Sequence, residues 1–406
     1  VGCWKKVLRP WPVPHSFISA VVFAFALADI LAHHARVMFA HSFRNKTVWL
    51  SGDTGFKGVW LAHWLLGLGA NVRGFALPPA TKPAVFDQLG LSKKITHETG
   101  DIRDAAAVKK SVLAAQPDFV FHLAAQPLVR LSYEQPLETY TTNVMGTAHV
   151  LEALRSLNRP CAAVIVTTDK CYENREWLYG YREDDPLGGR DPYSSSKAAA
   201  ELVTGAYRSS FFANHPVKIA TARAGNVIGG GDWAMDRIVP DCIRALQSGQ
   251  PIPVRNKNAT RPWQHVLEPL SGYLWLAAVL ANPKLAKHDL SRHAPTFNFG
   301  PAHESNRTVE ELVDEVLKHW PGRWEDKSDP KAVHEAGLLQ LATDKAHNLL
   351  DWSPTWNFPE AIARTVQWYR RMQEQADVKA VQDLTSGQIE EYSQKAGKLA
   401  ISWALD

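Results

Sequence analysis

Between Thr167 and Lys197 the chain gathers side chains that can move protons, in the run TTDKCYENREWLYGYREDDPLGGRDPYSSSK. Tyr193 and Lys197 stand four residues apart, the spacing that places two side chains on one face of a helix. A lysine cation held beside a phenol favours the phenolate, so a tyrosine of ordinary pKa about 10 is expected to accept a proton nearer neutrality. That is the chemistry of a base for an alcohol undergoing oxidation. Upstream, Thr168, Asp169 and Lys170 follow the apolar run Ala162 to Val166, which reads as a buried strand. A hydroxyl, a carboxyl and an amine then lie at a strand end, where open parallel sheets bind ligands. The Tyr-x-x-x-Lys spacing alone also suits an ordinary exposed helix turn, and the Thr-Asp-Lys run is what favours the chemical reading.

Such residues need a scaffold, and the sequence before them supplies one. Thr47 to Ser51 is a short β-rich run, followed by Gly52, Gly55, Phe56 and Gly58 in a G-x-x-G-x-x-G turn and then by the helical pattern VWLAHWLLGLG. Strand, glycine turn and helix in that order predict a dinucleotide site, with pyrophosphate against backbone N–H groups at the helix start. A second strand is expected over Asn71 to Leu77. It carries Gly74, Phe75 and Ala76 where an acidic residue would hold the adenosine ribose, which leaves NAD against NADP open. Asp101, followed by Ile102, is placed to accept from an adenine amino group or to be a plain loop carboxylate. Ala124 and Ala125 end the apolar strand from Phe119 and leave room for a flat cofactor. Asn143 opens a further helix as a buried polar relay or a cap.

Strands alternating with helices predict an α/β fold, a Rossmann-like doubly wound parallel sheet with a smaller C-terminal substrate-binding domain. The expected boundaries are 1–37 for a dispensable N-terminal extension, 38–225 for the dinucleotide-binding domain, 226–372 mainly for the nucleotide-sugar-binding domain interleaved with the last sheet strands, and 373–406 for a C-terminal helix and tail. Past Asn226 the rhythm breaks into a glycine triplet, prolines and isolated helices. Thr308 and Glu311 form a capping box for an amphipathic helix reaching Trp320, and after about Gln373 the chain is polar with helix expected near Gly387 to Tyr392.

Composition narrows the function classes. The 406 residues are 45% hydrophobic and 21% charged, ordinary for a globular enzyme, and a formal charge of +4 is too small for a nucleic-acid binder. Tryptophans such as Trp60, Trp64, Trp275 and Trp368 fall in apolar patterns and read as core or groove wall. Cys3, Cys161, Cys171 and Cys242 have neither zinc nor disulfide spacing, no metal is expected, and Cys171 reads as a buried structural thiol. Lys5, Lys6 and Arg9 precede an apolar run from Phe17 to Ala32 that imitates a signal peptide but is short for a membrane span and contains Asp29. Met38 stands just before the first strand, so the leading expectation is a working protein that starts there, with a cleaved signal or a membrane-surface helix as the alternatives.

Assembled, these parts resemble the extended short-chain dehydrogenase/reductase family, and within it the CDP-glucose 4,6-dehydratases. The resemblance covers roughly Met38 to Tyr392. It rests on GDTGFKGVWL, with Asp53 where the family usually has His, on GFALPPATKPAVF, TTDKCYENREW, PYSSSKAAAE, RAGNVIGGGDWA and NATRPWQHVLEPLSGYLWLA, and above all on Lys170 after the Thr-Asp step. The resemblance implies an NAD-dependent lyase of deoxysugar biosynthesis that turns CDP-glucose into CDP-4-keto-6-deoxyglucose and water. Tyr193 would take the 4-hydroxyl proton while hydride leaves C4, Thr168 would bind that oxygen, and Lys197 would hold the nicotinamide ribose. Lys170 would then remove the C5 proton, Asp169 would protonate the departing C6 hydroxyl, and hydride would return to C6. Lys170 can serve so only if its amine is pushed down, since an ordinary lysine pKa is about 10.4; the alternative is that it neutralises Asp169. Candidates for the substrate are Arg130, Asn143, Asn226, Arg237, Arg261 and His265. A cytoplasmic homodimer through the helices near Asn143 and Tyr193 is implied too. The rivals are another nucleotide-sugar dehydratase or a 4-epimerase and, in a different class, a cofactor-binding regulatory protein without turnover.

Overall fold

The computed structural model describes residues 38–288, 290, 295–328, 337–374 and 377–405. The expectations for residues 1–37, Cys3 among them, lie outside the described residues.

Seven strands form one parallel sheet: β1 (Thr47–Ser51), β2 (Asn71–Ala76), β3 (Thr96–Thr99), β4 (Phe119–His122), β5 (Cys161–Val166), β6 (Val217–Arg223) and β7 (Thr296–Asn298), in the order β7-β6-β5-β4-β1-β2-β3. The order reverses beside β1, which pairs with β2 on one side and β4 on the other, so Ser51 lies opposite both Phe75 and His122. Alternation along the strands divides the core into two layers. Val48, Leu50, Val164 and Val166 face one, with Trp60 and Trp64 of α1 (Phe56–Gly67), while Trp49, Ala163 and Ile165 face the other, with Val108 of α2 (Ala105–Ala115) and Leu151 of α3 (Gly146–Arg155). Helices on both faces make all six residues of β5 buried, which is why that strand reads as a continuous apolar run. Strand β3 was not foreseen: its THET sequence is polar and largely exposed because it is the sheet's edge.

The stretch that begins at Thr167 leads into α4 (Pro192–Phe211). Beyond β6 come α5 (Ile238–Gln247), α6 (Leu267–Ala281), α7 (Val309–His319), α8 (Phe358–Glu374) and α9 (Val378–Lys398), with two-stranded pairs such as Val227–Ile228 beside Gln264–His265. The capping box is present: Thr308 accepts from the Glu311 N–H while the Glu311 side chain accepts from the Thr308 N–H. Strand β7 comes from the later part of the chain and pairs with β6, the interleaving that the sequence suggested. The C-terminal helix is longer than expected and less peripheral. Tyr392 of α9 stacks on Trp403 at 5.6 Å between ring centres, and Trp403 stacks in turn on Phe39 at 5.0 Å, so the two ends of the described chain share one aromatic core. Among the described residues no helix is long and apolar enough to cross a membrane, and no group of His, Cys, Asp or Glu could hold a metal ion.

Candidate active site

The site is built where β5 ends. Thr168 caps a single 3-10 turn, Asp169–Cys171, its hydroxyl accepting from the Lys170 N–H. That turn swings Asp169 inward. Its carboxylate is fully buried, accepting from the Thr168 hydroxyl at 2.9 Å and from the Asn226 amide at 3.1 Å. Only a glycine fits beneath it, because a Cβ on Gly225 would lie 1.8 Å from Asp169 Oδ2. On α4, Asp191 accepts from the Ser194 N–H at 2.8 Å and Pro192 occupies the first turn, a start signal that fixes the helix phase and puts Tyr193 and Lys197 on its buried face.

A second network holds α4 against the sheet. Glu201, one turn beyond Lys197, accepts from the hydroxyls of Thr167 and Thr221 and pairs with Arg223 at 3.0 Å, both side chains being 3% exposed. Burial alone would raise the Glu201 carboxyl, but the Arg223 guanidinium and these donors hold it below its ordinary value. No local motif signals this pair, since it depends on α4 crossing β6.

Thr168, Asp169, Lys170, Tyr193, Asn226, Arg130, Arg237 and Arg261 all line one cleft of about 690 Å³. Arg237 is tied to Asp232 at 2.8 Å, Arg130 lies 3.7 Å from Asp236, and Arg261 donates to the carbonyls of Thr260 and Gly337. The electrostatics depart from expectation. Burial pushes the Tyr193 phenol up to about 12, and what works against burial is the Thr168 hydrogen bond and Arg237, while Asp169 adds to it. Lys197 does not supply the lowering predicted from its spacing: burial pushes its own pKa down to about 8, against the pull of Glu201, and its ammonium donates to the Val166 carbonyl at 3.4 Å.

Four candidates stand elsewhere. Asn143 is buried as a brace, its amide accepting from the Gln126 N–H at 2.9 Å and donating to the Ser196 hydroxyl at 2.8 Å; it is the polar relay and not a cleft residue. His265 is fully buried, edge-on to Trp60 and Trp356 and outside the cleft lining, and burial pushes its pKa down to about 3, so the structure does not bring it to the cleft. Asp101 is clasped by the Arg103 guanidinium at the end of its loop and stays partly exposed. Ile102 packs in the core near Gly146.

The glycine turn suits a dinucleotide. Gly52 has φ +77°, and a Cβ there would sit 2.7 Å from the Ala124 amide nitrogen, so the turn presses against the small residues that end β4. Gly55 precedes α1 with no side-chain cap; the first N–H groups of that helix, at Phe56, Lys57 and Gly58, are therefore left for an anion. The unusual Asp53 points away from that anion. It is fully buried, takes a hydrogen bond with His97 Nδ1 at 2.7 Å, and fills the space above Gly74, where a Cβ would meet its Oδ2 at 2.1 Å. The Asp53 side chain thus occupies the room that a side chain at position 74 would need. Cys171 is buried, its thiol pushed up by burial, in keeping with a structural role.

Sheet order and site together define the class: a Rossmann-type fold of the extended short-chain dehydrogenase/reductase kind. The chain belongs to the GDP-mannose 4,6 dehydratase family, whose model matches residues 50–365. It is 47% identical over 336 residues to the CDP-glucose 4,6-dehydratase of Salmonella typhimurium, covering 80% of this chain and 91% of that protein. It is 30% identical to the dTDP-glucose 4,6-dehydratase of Streptomyces antibioticus, covering 79% and 91%. Among solved structures, the Bacillus anthracis dTDP-glucose 4,6-dehydratase in complex with NAD shares the fold with a TM-score of 0.67 at 21% identity, covering 81% of this chain and 98% of that one. The Bacillus cereus UDP-glucuronic acid 4-epimerase does so with 0.69 at 20%, covering 80% and 99%.

Proposed function

We propose that this protein is an NAD-dependent CDP-glucose 4,6-dehydratase. One observation carries the reading: an acid and an amine, Asp169 and Lys170, line the same cleft as the Thr168 and Tyr193 pair, so alcohol oxidation and water elimination can act on one bound sugar. The relative at 47% identity bears the same activity in its name.

NAD, when bound, supplies reversible hydride acceptance. Gly52, Gly55, Phe56 and Gly58 take its pyrophosphate, Ala124 and Ala125 leave it room, and Lys197 holds the nicotinamide ribose. Tyr193 takes the proton of the 4-hydroxyl. Because burial pushes its phenol up to about 12, that transfer relies on the donors around the oxygen, Thr168 foremost, to stabilise the phenolate. Once the ketone acidifies C5, Lys170 removes that proton and Asp169 protonates the departing C6 hydroxyl. Arg130, Arg237, Arg261 and Asn226 receive the nucleotide diphosphate and the sugar. The exposed apolar side chains Leu137, Met145 and Leu202, near and on α4, support a homodimer formed through this face, and the reading takes the enzyme to act in the cytoplasm. Incubation with NAD⁺ and, separately, CDP-, dTDP-, UDP- and GDP-sugars tests the reading: a base-sensitive 4-keto product from CDP-glucose is expected, and turnover only of another nucleotide sugar, simple epimerisation, or no product at all overturns it.

A further inference from the structure

Lys57 is a cleft residue that the proposed chemistry leaves unused. It is the second residue of α1, in the glycine turn, yet it lines the nucleotide-sugar cleft with Thr168, Asp169 and Arg237. Its ammonium lies over the Tyr273 ring, 5.9 Å from the ring centre, and makes neither an ion pair nor a hydrogen bond with any described residue, whereas Arg237 is already held by Asp232. The charged groups facing Lys57 are Lys197 from α4, Arg237 just before α5, and Asp169 beyond β5, and Asp169 already accepts from Thr168 and Asn226. The neutral phenols of Tyr193 and Tyr273 complete the surroundings. With Arg237 paired to Asp232 and Asp169 satisfied by Thr168 and Asn226, Lys57 has no counter-charge of its own, and an ammonium held off from water is costly until an anion reaches it. Burial, then Lys197 and Arg237, push the Lys57 amine down to about 7, against the pull of Asp169.

We propose that Lys57 seats a phosphate oxygen of the bound cofactor or of the sugar nucleotide, and takes up a proton as that ligand binds. This rests on the nucleotide-sugar dehydratase reading and adds to it a positioning residue whose charge is completed by the ligand. The sign follows from linkage: burial and the neighbouring cations push the Lys57 amine down in the free protein, so an ammonium formed beside a phosphate draws a proton from solution as the ligand binds.

The test is isothermal calorimetry on the full chain at pH 8, with CDP and NAD⁺ titrated separately in two buffers of different ionisation enthalpy. Lys57→Met keeps the unbranched stem and removes the charge; Lys57→Arg keeps a charge that does not titrate. Lys197, pushed down to about 8 and coupled by charge to Lys57, is present in all three proteins, so the titrations are repeated across a range of pH to separate its contribution from that of Lys57. For one of the ligands, Lys57→Met is expected to bind about ten- to a hundredfold more weakly than the parent and to lose proton uptake that the parent shows. Lys57→Arg should regain most of the affinity without the uptake. Uptake lost with NAD⁺ assigns the cofactor's phosphate, and uptake lost with CDP assigns the sugar nucleotide's. Unchanged uptake in the variants overturns the proposal, whether or not affinity falls, because affinity lost without a proton reports packing. Should Lys57→Met not fold, Lys57→Arg decides alone by keeping or losing the uptake. A parent that binds neither ligand removes the nucleotide-sugar reading itself.

Discussion

Replacing Asp169 by asparagine removes a proton donor and leaves its shape in place. In the protein this carboxylate accepts from the Thr168 hydroxyl at 2.9 Å and the Asn226 amide at 3.1 Å, over a glycine that leaves no slack. An asparagine carbonyl still serves Thr168, and the Asn226 amide can turn to present its oxygen to the new NH₂ group. Exchanging hydrogen bonds to a charge for neutral ones costs about 1 kcal/mol, so the fold should survive. Chemistry should not. A positioned general acid contributes about 10²- to 10⁴-fold, which is the expected fall in dehydration. The oxidation half should persist, because Asp169 is among the groups that push the Tyr193 phenol up and its neutralisation eases proton loss there. After rapid mixing with NAD⁺ and CDP-glucose, near-ultraviolet absorbance of bound reduced nicotinamide should rise and stay, while base-sensitive 4-keto product stays near background. Dehydration within roughly threefold of the parent, without that accumulation, would refute the acid assignment.

Lys170→Ala should likewise accumulate reduced nicotinamide but exchange little C5 hydrogen with solvent; dehydration at the parental rate would make Lys170 a counter-ion only. Tyr193→Phe should block the earlier step and show almost no reduced nicotinamide on mixing, a result incompatible with normal hydride transfer in that variant. Gly55→Val should weaken NAD⁺ binding by at least about tenfold, seen by calorimetry, with an unchanged helical spectrum, because Gly55 has φ −81° and its nearest neighbour to an added Cβ lies 3.4 Å away. Glu201→Gln should lower stability by about 3–5 kcal/mol in urea by leaving Arg223 buried without its counter-charge. Since the folded state depresses the Glu201 pKa, the parent's advantage is present above the ordinary glutamate value of 4.5 and is lost as pH falls through the lower folded value; the variant should lack that dependence.

How much of this was readable beforehand depended on distance along the chain. Strands β1, β5 and β6, the glycine turn, the start of α4 and the Thr308 capping box follow from neighbours a few residues apart, and spacing alone also put Tyr193 and Lys197 on one helix face. Polar strand β3 escaped because an edge strand lacks the apolar pattern by which buried strands are recognised. His265 and Asn143 were credited with substrate contacts because a histidine or asparagine inside a functional motif looks the same whether it faces a cleft or a core. Packing alone turned His265 toward Trp60 and Trp356, and Asn143 toward Gln126 and Ser196.

The residues of the candidate site, and the order in which strands and helices deliver them, were determined by the sequence itself, because local periodicity and short-range caps set helix phase and strand ends. The tertiary structure alone decided their electrostatics. Burial of Tyr193 raises a phenol that spacing to Lys197 suggested would be lowered, and Lys57 is left beside Lys197 and Arg237 from other elements. Asp53 fills the place of a side chain at Gly74, across a strand pairing and twenty-one positions away. Desolvation and charge depend on what surrounds a group in space, and residues far apart in sequence supply most of that surrounding.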